Sequence, residues 1–367
     1  MKFTHESMAQ RVIFATGEAA ASVVAEIQAL QRSKVMLIAS ERKTELADPI
    51  EATLRSAGMQ VVVRHEEVVM HVPVEVAERA RVAAAAAQAD IVVSIGGGSA
   101  TGLGKAIVMD GSPVAGLPLI AVPTTYAGSE GTNVWGLTNE KTKTTGVDNR
   151  ALPTSVVYDA SLLTSLPSNM AVASGLNALA HSIDVMWGPR VDPIDRAFAG
   201  EGIRGLAAGL PLIAENPTSI EGIEQTLYGA YLSAVAFASA GSGMHHKICH
   251  VLGGMFNLPH AQTHAVVLPH VLAFNAQNDL EAEQRIAAAF GAVLGSGSAT
   301  DGLRALRDKL GIWVDVPKAL KDFGMPEDGV MKAVEPIKTA IPSDNPTPIT
   351  NENLAALLRA AWEGNLP

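Results

Sequence analysis

One cysteine in 367 residues, Cys249, excludes an intramolecular disulfide framework and fits a reducing compartment. It reads as a small buried thiol rather than a reactive one. Charge is sparse as well: 27 Lys and Arg against 37 Asp and Glu leave a formal net charge of -10, with no basic cluster able to release counterions from a phosphate backbone. Nucleic acid is therefore not an expected partner, and any anionic ligand must be held locally. No apolar run reaches the roughly 18 residues a membrane span requires, so no membrane partner is expected either. The opening MKFTHESMAQ lacks the apolar segment of a signal peptide, and a cytoplasmic location is expected. Internal repeats and low-complexity linkers are also missing.

What is present is a chain with 48% hydrophobic and 17% charged residues, enough apolar material for a substantial core and long enough for two domains. Strand and helix patterns alternate through the first half. RVIFATG (11–17), 34–39, 60–64 and 90–95 read as strands; 18–31, 45–57 and an Ala-rich 74–88 read as helices. This is the pattern of a doubly wound, mostly parallel sheet covered on both faces. Residues 135–148 suggest a β-hairpin, and SVVYD (155–159) a last strand of the sheet.

The fourth strand empties into GGGSATGLGKAI. Gly96, Gly97, Gly98 and Ser99 allow a tight turn before a helix N-terminus, a favourable place for a phosphate. Neither standard nucleotide motif fits: Thr101 stands where Gly-x-Gly-x-x-Gly needs glycine, and Ser99 and Ala106 break a Walker A register. A second strand-to-loop junction, LPLIAVPTTYAGSEGTN, offers Thr124, Thr125 and Tyr126. In a doubly wound sheet such loops share the crevice at the carboxyl ends of the strands.

Beyond residue 163 helical periodicity dominates, so the expected division is 1–163 and 164–367. Helices are expected at 169–187, 195–210, 220–240, in the stretch GSGMHHKICHVLGGMFNLPH (241–260), from 281, at 301–310 and at 352–362, and the small residues of YGAYLSAVAFASAGSG suggest close helix packing. Six of the ten histidines, His245, His246, His250, His260, His264 and His270, fall in 241–260 or just beyond. His246 and His250 stand four apart, one turn above the other on a helix that Gly253 and Gly254 can end. Asn177 and His181 repeat the spacing upstream.

Four motifs in this order, GGGSATGLGKA, PTTYAGSE, SGLNALAH and MHHKICHVLGGMFNLPHAQTH, resemble the iron-containing alcohol dehydrogenase superfamily. TTYAGSE, HHKICH, PHAQTH and Asn177 resemble its maleylacetate reductase branch most. The resemblance implies an α/β dinucleotide-binding domain followed by an all-helical substrate domain, as in dehydroquinate synthase, and a homodimer. Metal-dependent members place an Asp and three His around iron or zinc, and those positions fall on Asn177, His181, His246 and His260. An amide replaces the only anionic donor, so a metal-free site is expected, with three imidazoles as the residual ligand set.

The branch implies hydride transfer from NADH or NADPH to the C=C bond of a small dicarboxylate that also carries a conjugated ketone. Charge then develops on the ketone oxygen, which needs hydrogen-bond donors and a nearby acid. His246 and His250 are the expected donors, with His181, His260, Tyr126 and Asn177 completing the pocket. His245 or Lys247 are expected at the substrate carboxylates, with Lys143 and Arg150 as further cations. Gly96 to Ser99 are expected at the pyrophosphate, with Thr124, Thr125 and Leu163 near the nucleotide. Ser40 ends the second strand, where an acid would select NAD; Glu41, Arg42 and Lys43 follow it and leave NADH and NADPH both open. The rivals are a metal-dependent alcohol dehydrogenase, a carbon–oxygen lyase that uses the nicotinamide transiently, and a non-catalytic nucleotide-binding protein.

Overall fold

A computed structural model describes residues 2–41, 44–139, 142–313 and 316–367, with only the backbone of Thr142, Lys143, Ile312 and Trp313. The chain divides into two compact units, Ser7–Leu166, and Pro167–Pro367 together with Met1–Glu6.

The first unit is a six-stranded sheet. Its strands are β1 (Arg11–Phe14), β2 (Lys34–Ala39), β3 (Gln60–His65), β4 (Ile91–Gly96), β5 (Leu119–Pro123) and β8 (Ser155–Tyr158). They run in the order β1-β8-β5-β4-β2-β3, and every pairing is parallel. β4 and β5 are buried at every position, which is why both read as continuous apolar runs rather than alternating ones. Helices α1 (Ala19–Ala29), α2 (Thr44–Ser56), α3 (Val74–Ala86) and α4 (Gly98–Val108) connect or follow the strands. Two apolar clusters form the core. One gathers Met36, Ile38 and Val92 with α3 and α4, and the other gathers Leu37, Ile91 and Val93 with α1 and α2, so the sheet is covered on both faces.

The chain passes from β2 outward to β3, then returns to β4 on the other side of β2 and continues to β5. This is a topological switch point, and the carboxyl ends of β2, β4 and β5 deliver Ser40, Gly96 and Thr124 on one edge of the sheet. The expected hairpin is β6 (Val134–Asn139) paired antiparallel with β7 (Thr142–Val147).

The second unit is helical: α5 (Ser168–Val185), α6 (Pro193–Glu215), α7 (Ile220–Ala240), α8 (Met244–Phe256), α9 (His260–Ala276), α10 (Leu280–Leu294), α11 (Ala299–Trp313), α12 (Gly329–Ala340) and α13 (Asn351–Glu363). No helix among the described residues is long and apolar enough to cross a membrane. α6 and α7 approach closely, as their small residues suggest. A Cβ at Gly229 would stand 2.7 Å from the Leu206 backbone nitrogen.

Three differences from the expected helices have physical causes. α6 begins earlier because Asp192 and Asp195 form a capping box with Pro193 in the first turn. α8 runs through Gly253 and Gly254 and stops at Asn257 in the left-handed conformation. Glycine costs a helix only about 1 kcal/mol, and Phe256 packs against Gly329 of α12. α9 has no counterpart among the expected helices, since Pro269 interrupts its pattern.

Candidate functional site

In the Ser7–Leu166 unit the glycine turn and the threonine loop meet. Gly96 has φ +149, and its carbonyl accepts from the Thr124 N–H at 3.0 Å. A Cβ at Gly97 would lie 2.8 Å from Thr125 Cγ2, so only glycine lets Thr125 approach this closely. Gly97 is the N-cap of α4 and supplies no side-chain acceptor to the first turn. Gly98 and half-buried Ser99 open that helix, where backbone N–H groups and the helix dipole favour an anion. Ser40 follows β2 and is half-buried.

Leu163 ends a 3-10 turn after β8 and is buried. Tyr126 is buried too, and desolvation raises its hydroxyl pKa; it belongs to this unit and not to the helical one that carries the histidines. Arg150 is committed to Asp110 at 2.8 Å and Asp148 at 3.1 Å, so its charge is already matched. Arg42 and Lys43, and the side chain of Lys143, lie outside the described residues.

In the helical unit three i,i+4 pairs gather: Asn177 and His181 on α5, His246 and His250 on α8, and His260 and His264 on α9. The His181 ring stacks on His246 with centroids 4.9 Å apart, and Phe237 of α7 lies tilted against both. His264 is 4.8 Å from His246 and 4.4 Å from His260; His250 is 6.1 Å from His246 and 6.4 Å from His260. Asn177 Oδ1, His181 Nδ1, His246 Nε2 and His264 Nε2 are buried atoms without a hydrogen-bond partner. Such atoms are costly unless a ligand or water satisfies them. His270 stands apart from the cluster, its pKa drawn down to about 4 by burial and by Arg307.

The residue that pattern reading overlooked is Asp184, one turn beyond His181 on α5. Its carboxylate accepts the backbone N–H of Gly243 at 2.9 Å, of His245 at 2.9 Å and of His246 at 3.3 Å, and so caps α8 from a different helix. It also lies 2.8 Å from His246 Nδ1. The spacing HSID, which puts a carboxylate at i+3 from His181, is the only signal for it in the sequence. Burial pushes the Asp184 carboxyl up, but three backbone N–H donors need acceptors on its two oxygens, which the anion supplies, and an anion facing His246 Nδ1 calls for a ring N–H there. His246 Nδ1 therefore carries the hydrogen and Nε2 the lone pair. Desolvation holds His245, His246 and His264 well below the usual histidine range, and His181 at about 4.

His246, expected to donate, is in its neutral form an acceptor at Nε2 and donates there only when protonated. One expectation changes. His245 was expected as a cation for a substrate carboxylate, yet it is fully buried, neutral, and hydrogen-bonded through Nε2 to His264 Nδ1 at 2.9 Å. Lys247 is the half-buried member of that pair of candidates.

Among the described residues two sets of side chains bring three ligand-type atoms within 4.8 Å of one another: His245, Cys249 and His264, and His5, Asp192 and Asp195. His181, His246 and His260 are not such a set. With Asn177 beside them they offer no anionic donor, which leaves three imidazoles as the only ligand-type groups at that place. In the Cys249 set the two imidazoles spend their facing nitrogens on each other, and His245 Nδ1 is unpartnered, so no second-shell acceptor orients the rings. Burial raises the Cys249 thiol well above its ordinary pKa, which keeps it neutral.

A switch-point nucleotide fold followed by a helical unit with a buried imidazole cluster is the build of a nicotinamide-linked oxidoreductase scaffold. The iron-containing alcohol dehydrogenase model matches residues 9–160, and the C-terminal model of the Fe-containing alcohol dehydrogenase family matches 171–362. The chain belongs to the iron-containing alcohol dehydrogenase family. It is 41% identical over 367 residues to a maleylacetate reductase of Sphingobium indicum, covering 100% of this chain and 99% of that protein. A solved iron-containing alcohol dehydrogenase of Corynebacterium glutamicum superposes with a TM-score of 0.93 at 52% identity, covering 100% of this chain and 98% of the other. The maleylacetate reductase of Rhizobium sp. superposes with a TM-score of 0.90 at 37% identity, over 100% of both chains.

Proposed function

We propose that the chain is a maleylacetate reductase, which transfers a hydride from NADH or NADPH to the C=C bond of maleylacetate and forms 3-oxoadipate. The observation that carries this reading is the cluster of neutral, buried imidazoles with the Asn177 amide in the place where the family resemblance implies an aspartate ligand. In this reading Ser7–Leu166 binds the dinucleotide, Pro167–Pro367 binds the small dicarboxylate, and two copies form a cytoplasmic homodimer. The free, buried Cys249 supports a reducing compartment.

Hydride adds to the carbon β to the ketone, and the electron pair of the C=C bond moves onto the ketone oxygen. Donors at that oxygen stabilise the enolate, and a proton then closes the α carbon. His250 is assigned to the oxygen. His246 is assigned to the proton: two substrate carboxylates entering a buried site raise its pKa, and Asp184 stabilises the imidazolium that forms. His181, His260 and Asn177 shape the pocket, and Lys247 meets a carboxylate. No step uses a metal.

In the free enzyme desolvation keeps His246 well below the usual range, so only a small, pH-dependent fraction carries the required proton. The sign follows: kcat/KM should fall about tenfold per pH unit above neutrality. A flat profile over that range removes His246 as the proton donor.

One observation favours metal-assisted alcohol oxidation as a second reading. A carboxylate that orients an imidazole and leaves Nε2 bare is also how metal-ligating histidines are held. Loss of NADH or NADPH absorbance with maleylacetate, before and after chelator, separates the two. Turnover that survives chelation supports the metal-free reductase; activity abolished by chelator and restored by Fe²⁺ or Zn²⁺ supports the second reading.

A further inference from the structure

The Ser7–Leu166 unit holds a buried polar knot that the reaction does not use. Lys105 lies seven residues beyond Gly98 on α4, two turns along the same face. Its side chain is 0% exposed, and Nζ donates to the Thr132 carbonyl at 2.8 Å, Thr132 Oγ1 at 3.1 Å and the Val134 carbonyl at 2.8 Å. Thr132 Oγ1 donates onward to the Ser129 carbonyl at 3.2 Å. Beside this group the buried Glu130 carboxylate accepts from the Tyr158 hydroxyl at 2.7 Å, and the Glu130 carbonyl accepts from Gln10 Nε2 at 2.9 Å. Burial draws the Lys105 ammonium down to about 7, against the pull of Glu130.

A methionine would fill the same space without desolvating a charge. What the ammonium adds is a set of directed bonds, all to the segment that runs from β5 into β6. That segment starts with Thr124, bonded to the Gly96 carbonyl, and Thr125, packed on Gly97. Its near end therefore touches the glycine turn, and its far end is tied to the helix that the turn begins.

We propose that Lys105 is a positioning residue for the dinucleotide. Through Thr132 and Val134 it holds the loop of Thr124 and Thr125 at a fixed spacing from the glycine turn, the spacing that receives a pyrophosphate. The proposal rests on the reading of Gly96 to Ser99 as the pyrophosphate turn.

The test is coenzyme titration of the full-length protein by NADH or NADPH fluorescence, with Tm and steady-state kinetics on the same variants. Lys105→Met should raise the coenzyme Kd and KM about tenfold or more, as expected for losing directed bonds from a charged donor, while kcat at saturating coenzyme changes little. Thr132→Val removes one acceptor and should shift Kd in the same direction by less; it carries the test if Lys105→Met does not fold. Ser99→Asp tests the underlying reading. A carboxylate in the first turn of α4 favours the helix dipole yet repels a pyrophosphate, so Kd should rise with no loss of Tm. Unchanged coenzyme affinity in Ser99→Asp would overturn the pyrophosphate turn and the Lys105 role with it. Weakened binding in Ser99→Asp, together with wild-type Kd in the Lys105 and Thr132 variants and only a lower Tm, would overturn the Lys105 role alone.

Discussion

Asp184→Asn is expected to lower kcat about 10²-fold or more, as much as removing the His246 imidazole. The amide has nearly the shape of the carboxylate, so the loss is chemical. Asn turned to accept from His246 Nδ1 keeps its oxygen on the Gly243 and His246 backbone N–H groups but presents its NH2 to the His245 N–H, which then lacks an acceptor. Turned the other way, it donates to Nδ1 and forces the ring hydrogen onto Nε2, the wrong tautomer. In either orientation the anion that stabilises an imidazolium is gone. His246→Ala and the double variant should sit near the same kcat, because residues that act as one unit are strongly non-additive. His250→Ala, acting at the substrate oxygen, should add to that loss. Steady-state kinetics with maleylacetate check this, and Asp184→Asn with wild-type kcat would remove the dyad from the mechanism.

The second large effect concerns stability. Pro269 lies inside α9 and has no N–H for the carbonyl of Ala265, four residues earlier. Arg307 of α11 replaces that donor: Nη1 reaches the Ala265 carbonyl at 2.6 Å and Nη2 the Pro317 carbonyl at 2.9 Å. Arg307 is 6% exposed, and burial draws its pKa down to about 10. Arg307→Met should destabilise the protein by about 2–4 kcal/mol, since it strands two carbonyls, at least one of them buried. Pro269→Ala restores a helical N–H to Ala265, so Arg307→Met/Pro269→Ala should be more stable than Arg307→Met alone. Urea unfolding of the four proteins closes the cycle. A double variant no more stable than Arg307→Met would show that the Ala265 carbonyl is not the group Arg307 serves.

Much of the architecture was legible in local pattern. β4 and β5 are buried on both faces and read as unbroken apolar runs; α7 shows its period from Ile220 to Ala240; Gly96 to Ser99 announce a turn at a strand end. The pairs Asn177/His181 and His246/His250 were legible for the same reason, since an i,i+4 spacing is a property of one helix. Less legible were features that depend on competing local costs. Gly253, Gly254 and Pro269 each argue for a helix end, yet α8 and α9 run through them, and at Pro269 the Arg307 guanidinium supplies the donor that the Ala265 carbonyl lacks.

By itself, then, the sequence determined which residue types stand together on each helix and strand, and the order of the motifs, because periodicity and turn chemistry act within a few residues. Only the tertiary structure decided that His260 and His264 form a third pair on a helix, that Arg150 is consumed by Asp110 and Asp148, and that Asp184 reaches 62 positions along the chain to cap α8 and hold His246. It also decided the protonation of the cluster. His245, His246 and His264 in a sequence are three possible cations; packed together out of water they lose hydration and repel one another's charge, and the neutral form prevails.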